Sequence, residues 1–163
     1  MKNLVLFSLF IFGIFSLQAQ QSDFEKYKKK VEIADSKVKV NGFVLYSGSD
    51  GKVSHHYVGS IKKGELTIYY IDDFDGKTED FHVSTVKIED LNLDKEPTLM
   101  PNGYYEMSWV DFLMGTKEGE VVNSTVYRKD GKIEKNENDI LKLSVKDNET
   151  GNKLYDLLKE NVK

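Results

Sequence analysis

Alternating apolar and polar residues dominate the chain from residue 37 onward. The clearest alternation, at residues 65–71, puts Leu66, Ile68 and Tyr70 on one face of a strand. Ile71 then points to the opposite face together with Tyr69. The same two-residue period predicts about seven strands in all. They lie at residues 38–46, 53–58, 65–71, 81–88, 104–110, 121–128 and 140–145.

The segments between these strands carry turn residues. Asp75 and Gly76 form a strong hairpin signal, because both residues tolerate a positive φ. Residues 94–103 hold both prolines and are predicted to be the longest irregular connection. Residues 132–139 are polar throughout most of their length and are predicted to form a loop.

Helical spacing replaces the two-residue period at both ends of this region. Near the N-terminus, Ser22 and Glu25 form a capping-box pattern that predicts a short helix at residues 23–33. Its apolar stripe consists of Phe24, Tyr27, Val31 and Ala34. Near the C-terminus, Asp147 or Asn148 is predicted to cap a second helix. The apolar stripe of that helix consists of Leu154, Leu157, Leu158 and Val162.

Strands without intervening helices favour antiparallel connections. The pattern therefore predicts a mainly β (α+β) domain, built as a single antiparallel sheet of about seven strands that is strongly bent or barrel-like. The C-terminal helix would cap the sheet, and a short N-terminal helix or arm (residues 21–36) would precede the β-rich domain at residues 37–163. This order of elements resembles the pleckstrin-homology-like architecture. A lipocalin-like barrel and a two-layer α+β sandwich are the alternatives.

The first 20 residues differ in kind from the rest of the chain. Lys2 precedes an apolar run at residues 4–15, and small and polar residues follow. This order is typical of a secretory signal peptide, since the run is shorter than the roughly 20 residues that span a bilayer. The ending Ala19-Gln20 resembles export signals common in Bacteroidota. We therefore expect an exported protein, periplasmic or extracellular, with no stable membrane span after signal cleavage; an uncleaved membrane anchor is the alternative.

Composition narrows the classes of function. The chain has no cysteine, which excludes disulfides and thiolate metal sites. Removal of the signal takes away one cation (Lys2) and no acid, so the formal net charge moves from −4 to −5. Charges of both signs are interspersed and form no basic stripe, so binding to nucleic acid is not expected.

No motif points to a metal or a cofactor. His55 and His56 are adjacent on a predicted strand and face opposite ways, so they cannot chelate one ion together, and His82 lies on another strand. An acidic cluster comprises Asp72, Asp73, Asp75, Glu79 and Asp80. It lacks the ligand order of a calcium loop and suits a solvated hairpin tip. We therefore predict no metal site and no cofactor.

Catalytic motifs are also missing from the sequence. There is no G-x-S-x-G elbow, no cysteine nucleophile and no glycine-rich phosphate loop, so no catalytic residue is predicted. The best indication of binding is a group of apolar residues near the prolines and the single tryptophan. It consists of Leu99, Met100, Trp109, Phe112 and Met114. If these side chains meet at the surface they form an adaptable apolar patch, and the alternative is that they belong to the core.

These observations favour an exported, non-enzymatic domain that binds a protein partner or a small apolar ligand through one edge or mouth of the sheet. A metal-dependent or hydrolase-like envelope enzyme is one alternative. A purely structural envelope protein is another.

Overall fold

A computed structural model describes residues 43–49, 53–74, 77–104 and 107–162. Within these residues the chain is mostly β, with nine strands followed by one helix. The strands are β1 (Phe43–Ser49), β2 (Val53–Lys62), β3 (Glu65–Phe74), β4 (Lys77–Lys87), β5 (Thr98–Tyr104), β6 (Met107–Gly115), β7 (Val122–Arg128), β8 (Ile133–Asn138) and β9 (Ile140–Val145). The helix α1 is Asn148–Glu160, and a 3₁₀ turn, Ile88–Asp90, follows β4. The predicted signal peptide and the predicted N-terminal helix lie outside the described residues.

The strands form two antiparallel sheets, and the prediction of a single sheet was wrong. One sheet has six strands in the order β1-β2-β3-β4-β7-β8, and the other has three in the order β5-β6-β9. The chain leaves the first sheet after β4 through the 3₁₀ turn and returns to it at β7, so β5 and β6 pair elsewhere. No closed barrel is found among the described strands. The pleckstrin-homology-like order stays a prediction.

The sequence pattern does not predict β5 and β8, and both of these strands lie at sheet edges. β5 contains Pro101, which has no N–H to donate, and an edge strand tolerates this because one of its sides makes no ladder bonds. β8 is almost entirely polar and exposed, with residues 133–138 reading IEKNEN. Charged residues are common on edge strands, where they discourage pairing with other chains. The predicted irregular connection and the predicted polar loop therefore each contain a strand.

The hydrophobic core lies between the two sheets and α1. Its members are Leu45, Leu66, Ile68, Val86, Ile88, Leu91, Val110, Phe112, Met114, Val122, Leu141, Leu143, Val145, Leu154 and Leu158. We call the face of the six-stranded sheet that carries Leu66 and Ile68 the inner face, because these residues pack against strands of the other sheet. The predicted alternation of β3 is confirmed, since Ile71 belongs to a separate cluster on the opposite face.

Backbone hydrogen bonds join the two sheets at their corners. The N–H of Lys146, just after β9, donates to the carbonyl of Leu45 in β1 at 2.9 Å. At another corner, Leu91 forms an isolated antiparallel bridge with Thr116. The first link holds the end of β9 against β1 of the larger sheet, and the second holds the end of β6 against the segment that follows the 3₁₀ turn.

The C-terminal helix is docked through part of its predicted stripe. Asp147 caps it, since its Oδ1 accepts a hydrogen bond from the Thr150 N–H at 2.8 Å. Leu154 and Leu158 are buried in the core, whereas Val162 is 46% exposed. Within the part of the chain that the structure describes, no helix combines the length and the apolarity needed to cross a membrane.

Candidate functional site

Four strands place aromatic side chains side by side on the inner face of the six-stranded sheet. Tyr46 in β1 pairs with Tyr57 in β2, Tyr57 pairs with Tyr70 in β3, and Tyr70 pairs with His82 in β4. Residues directly opposite one another in antiparallel strands point to the same face and bring their Cβ atoms within about 4.5–5.5 Å. We call these four residues the aromatic row. The row runs across the strands, so the four residues are aligned only because of the register in which neighbouring strands pair.

Three rings of the row, those of Tyr57, Tyr70 and His82, contact one another in turn. The centroids of Tyr57 and Tyr70 lie 4.2 Å apart with an interplanar angle of 24°, which is a stacked arrangement. Tyr70 and His82 lie 5.1 Å apart at 49°. Such ring pairs stabilise each other by about 0.5–1.5 kcal/mol beyond the burial of their surface. The rings are therefore held in defined orientations.

Trp109 brings the three-stranded sheet into contact with this row. Its ring centroid lies 5.9 Å from that of Tyr46 and 5.7 Å from that of His55. His55 is two residues before Tyr57 on β2, so it shares the inner face and stacks beside Tyr70 at 6.5 Å. We call Tyr46, His55, Tyr57, Tyr70, His82 and Trp109 the aromatic cluster. The aromatic cluster contains residues from both sheets. Tyr46 is buried, and the other members are half-buried.

A buried carboxylate fixes the indole of Trp109. Asp111, two residues further along β6, is only 8% exposed. Its Oδ1 accepts a hydrogen bond from Trp109 Nε1 at 2.9 Å, and its Oδ2 accepts one from Asn102 Nδ2 at 3.0 Å. The Lys142 ammonium lies 3.5 Å from Oδ2. A buried carboxylate needs such partners, and meeting that need sets the orientation of the tryptophan.

Tyr46 contributes a neutral phenol to the cluster. Its side chain is 6% exposed, and burial raises the pKa of its hydroxyl above the ordinary value of 10.0. The group therefore stays protonated at neutral pH and adds no charge next to Trp109.

An ion cluster borders the aromatic row beyond His82. Arg128 in β7 donates from Nη1 to both carboxylate oxygens of Asp80, at 3.2 and 2.9 Å, and lies 3.3 Å from the carboxylate of Glu134. Lys132 lies 2.7 Å from the other oxygen of Glu134. The cations thus face carboxylates within the protein, so this border offers little attraction for an anionic ligand.

This ion cluster makes a testable prediction about pH. Hydrogen bonds from Lys132 and Arg128, together with their positive charges, lower the pKa of Glu134 from 4.5 to about 2. Because the folded pKa lies below the unfolded one, the stabilising effect is fully present above about pH 4.5 and is lost as the pH falls through about 2. An NMR titration of the Glu134 carboxyl carbon should show this low midpoint, and Arg128→Ala should move it upward.

A matched control is Lys153→Ala, which removes a cation paired with Glu149 on α1. It should leave the Glu134 midpoint where it was. A native midpoint for Glu134 near 4.5 would mean that these ion pairs do not form in solution.

The apolar patch predicted from the sequence is divided between two faces of the three-stranded sheet. Leu99 pairs with Phe112 and packs on the core with Phe112 and Met114, which are 0% and 3% exposed. Met100 pairs with Asp111 and is 51% exposed, so it shares the face of Trp109. Of the five residues, Trp109 alone belongs to the aromatic cluster. The structure does not bring them together as one surface, and their role in binding stays a prediction.

The histidines lie as their spacing predicts. His56 Nδ1 is 3.0 Å from Ser47 Oγ, whereas His55 points to the inner face. His82 shares that face with His55, but β3 separates their strands. Among the described side chains, no three potential metal ligands lie close enough to hold an ion. Most of the predicted acidic cluster lies outside the described side chains, and its described member, Asp80, pairs with Arg128.

A polar cleft of about 510 Å³ lies away from the aromatic cluster, between the loop after the 3₁₀ turn and the turn between β6 and β7. Several of its polar groups are used within the protein. Thr116 Oγ1 donates to the carbonyls of Glu120 and Asp139, and Lys117 Nζ donates to the carbonyl of Glu89 at 2.6 Å. The aromatic cluster is therefore the better candidate for a ligand site.

Comparison with known proteins adds no family to this description. No protein-family model matches the chain, and neither a curated protein nor a solved structure matches it significantly.

Proposed function

We propose that the chain is an exported binding domain that takes a small, flat, uncharged ligand on its aromatic cluster. The observation that carries the proposal is the meeting of Trp109 with Tyr46 and His55, because it joins rings from both sheets at one place. Export is supported by the signal-peptide pattern of residues 1–20.

The chemistry of the cluster favours this class of ligand. Ligand sites are lined mainly by apolar and aromatic side chains with a few polar groups that fix orientation. Stacked rings offer flat apolar faces, and the Tyr70 hydroxyl and His55 Nδ1, which lie 3.4 Å apart, place polar atoms beside those faces. The neighbouring cations are paired with carboxylates, which favours an uncharged ligand over an anion.

The fluorescence of Trp109 offers a direct test, since it is the only tryptophan in the chain. Titration with 2-naphthol, an uncharged bicyclic aromatic, should change its emission saturably. Tyr70→Leu keeps an apolar side chain on the strand but removes a ring, so we expect the affinity to fall about tenfold, or 1.4 kcal/mol.

The matched control is Val162→Ala, which removes an exposed apolar side chain after α1 that belongs neither to the cluster nor to the predicted patch. Its affinity for 2-naphthol should equal that of the unaltered protein. A linear, unsaturable response of the unaltered protein, or equal affinities of all three proteins, would contradict the proposed site.

A further inference from the structure

The outer face of the six-stranded sheet, opposite the inner face, carries a second apolar cluster. We call it the outer cluster, and it consists of Tyr69, Ile71, Phe81, Val83 and Tyr127. Ile71 is 1% exposed and Phe81 is 0% exposed. Both therefore lie as deep as the central core residues, although they point away from that core.

The described elements do not explain this burial. Side chains on a sheet stand nearly perpendicular to it, so neighbours in the same sheet cover their flanks but leave their ends open. The three-stranded sheet and α1 pack on the inner face, through residues such as Leu154 and Phe112. Tyr69 and Phe81 contact each other within the cluster, with ring centroids 6.3 Å apart at 41°. The near-complete burial of Ile71 and Phe81 points to a further layer over the outer cluster.

We propose that this layer is the chain's own N-terminal segment, residues 23–33, docked as an amphipathic helix. The sequence pattern gives this segment an apolar stripe that begins with Phe24 and Tyr27 and continues to Val31. Lys29 lies on the opposite side of such a helix, since successive residues rotate by about 100°. The stripe and the outer cluster both carry tyrosine and phenylalanine rings, so aromatic side chains would pack against aromatic side chains.

The dimensions agree with this docking. A helix of residues 23–33 is about 16 Å long at 1.5 Å per residue. The outer cluster lies on the three strands β3, β4 and β7, which span about 10 Å at roughly 4.8 Å per strand spacing, so a helix of this length covers it. The connection from residue 34 to residue 42 reaches up to about 30 Å, which is enough to pass from the start of β1 at Phe43 to β4.

Disulfide trapping in the full chain tests the proposal, because the protein has no cysteine of its own. Val83→Cys, in the outer cluster, is combined in turn with Phe24→Cys, Tyr27→Cys or Val31→Cys. At least one of these pairs should close as an intramolecular disulfide about tenfold faster than the control pair Val83→Cys with Lys29→Cys, since cysteines more than about 7 Å apart cannot join without backbone movement.

Three outcomes would overturn the proposal. One is equal closure of the stripe pairs and the control pair, and another is closure of none. The third is a disulfide that joins two chains, which would identify a second copy as the layer over the outer cluster. Near-UV circular dichroism of each reduced variant shows that the sheet is folded before oxidation, so failure to fold is not mistaken for failure to close.

Discussion

Phe112→Ala is expected to lower the free energy of unfolding by about 3–5 kcal/mol. Phe112 is 0% exposed and lies in β6 between Leu99 of β5 and Leu143 of β9, so truncation removes apolar contacts and leaves a cavity among both sheets and α1. Urea unfolding should show the loss as a lower midpoint with an unchanged slope.

Met100→Ala is the control for this substitution, because the sequence pattern grouped Met100 and Phe112 in one apolar patch. Met100 is 51% exposed, so its truncation should change stability by no more than about 0.5 kcal/mol. Similar losses for the two variants would mean that Phe112 is not in the core.

Leu158→Ala should cost about 2–4 kcal/mol, because Leu158 is 0% exposed and anchors α1 to the core. The loss combines the transfer energy of the removed methyl groups with the cavity left against the sheets. A thermal or urea melt measures it. An unchanged melting midpoint would make α1 a free element that is available to a partner.

Val162→Ala is the matched control for the helix. Val162 belongs to the same predicted stripe, but it lies beyond the last helical residue and is 46% exposed. Its truncation should therefore leave the midpoint almost unchanged.

The strands that could be predicted are those whose apolar residues recur with a period of two. In β3, Leu66 and Ile68 face the core and Ile71 faces the outer cluster, as the period of two requires. β5 and β8 could not be predicted in this way, because an edge strand with a proline or with polar residues has no alternation to read. Without these two strands, the residue pattern predicts one sheet where the structure has two.

The aromatic row could be predicted only in part. Alternation places Tyr70 on the face of Leu66, but the alignment of Tyr46, Tyr57 and His82 with it depends on register between strands. This register depends on the turns and on a bulge in β1 between Val44 and Tyr46. The residue pattern of a single sequence does not predict the position of such a bulge.

The division of the predicted patch between two faces has a simple geometric cause. In a strand, Trp109 and Phe112 are three positions apart and must point to opposite faces. The sequence does contain a sign of the contact that Trp109 makes, because Asp111 is the single acid within the apolar run of residues 109–114. A carboxylate in such a run needs buried donors, and the indole N–H two residues away on the same face is one of them.

Native mass spectrometry of the protein purified from its native cell tests the central claim most directly. The account predicts a small, non-peptide mass retained on the unaltered protein, lost from Tyr70→Leu and kept by Val162→Ala. A bare protein mass, or a retained mass that both variants keep equally, would contradict a ligand site on the aromatic cluster.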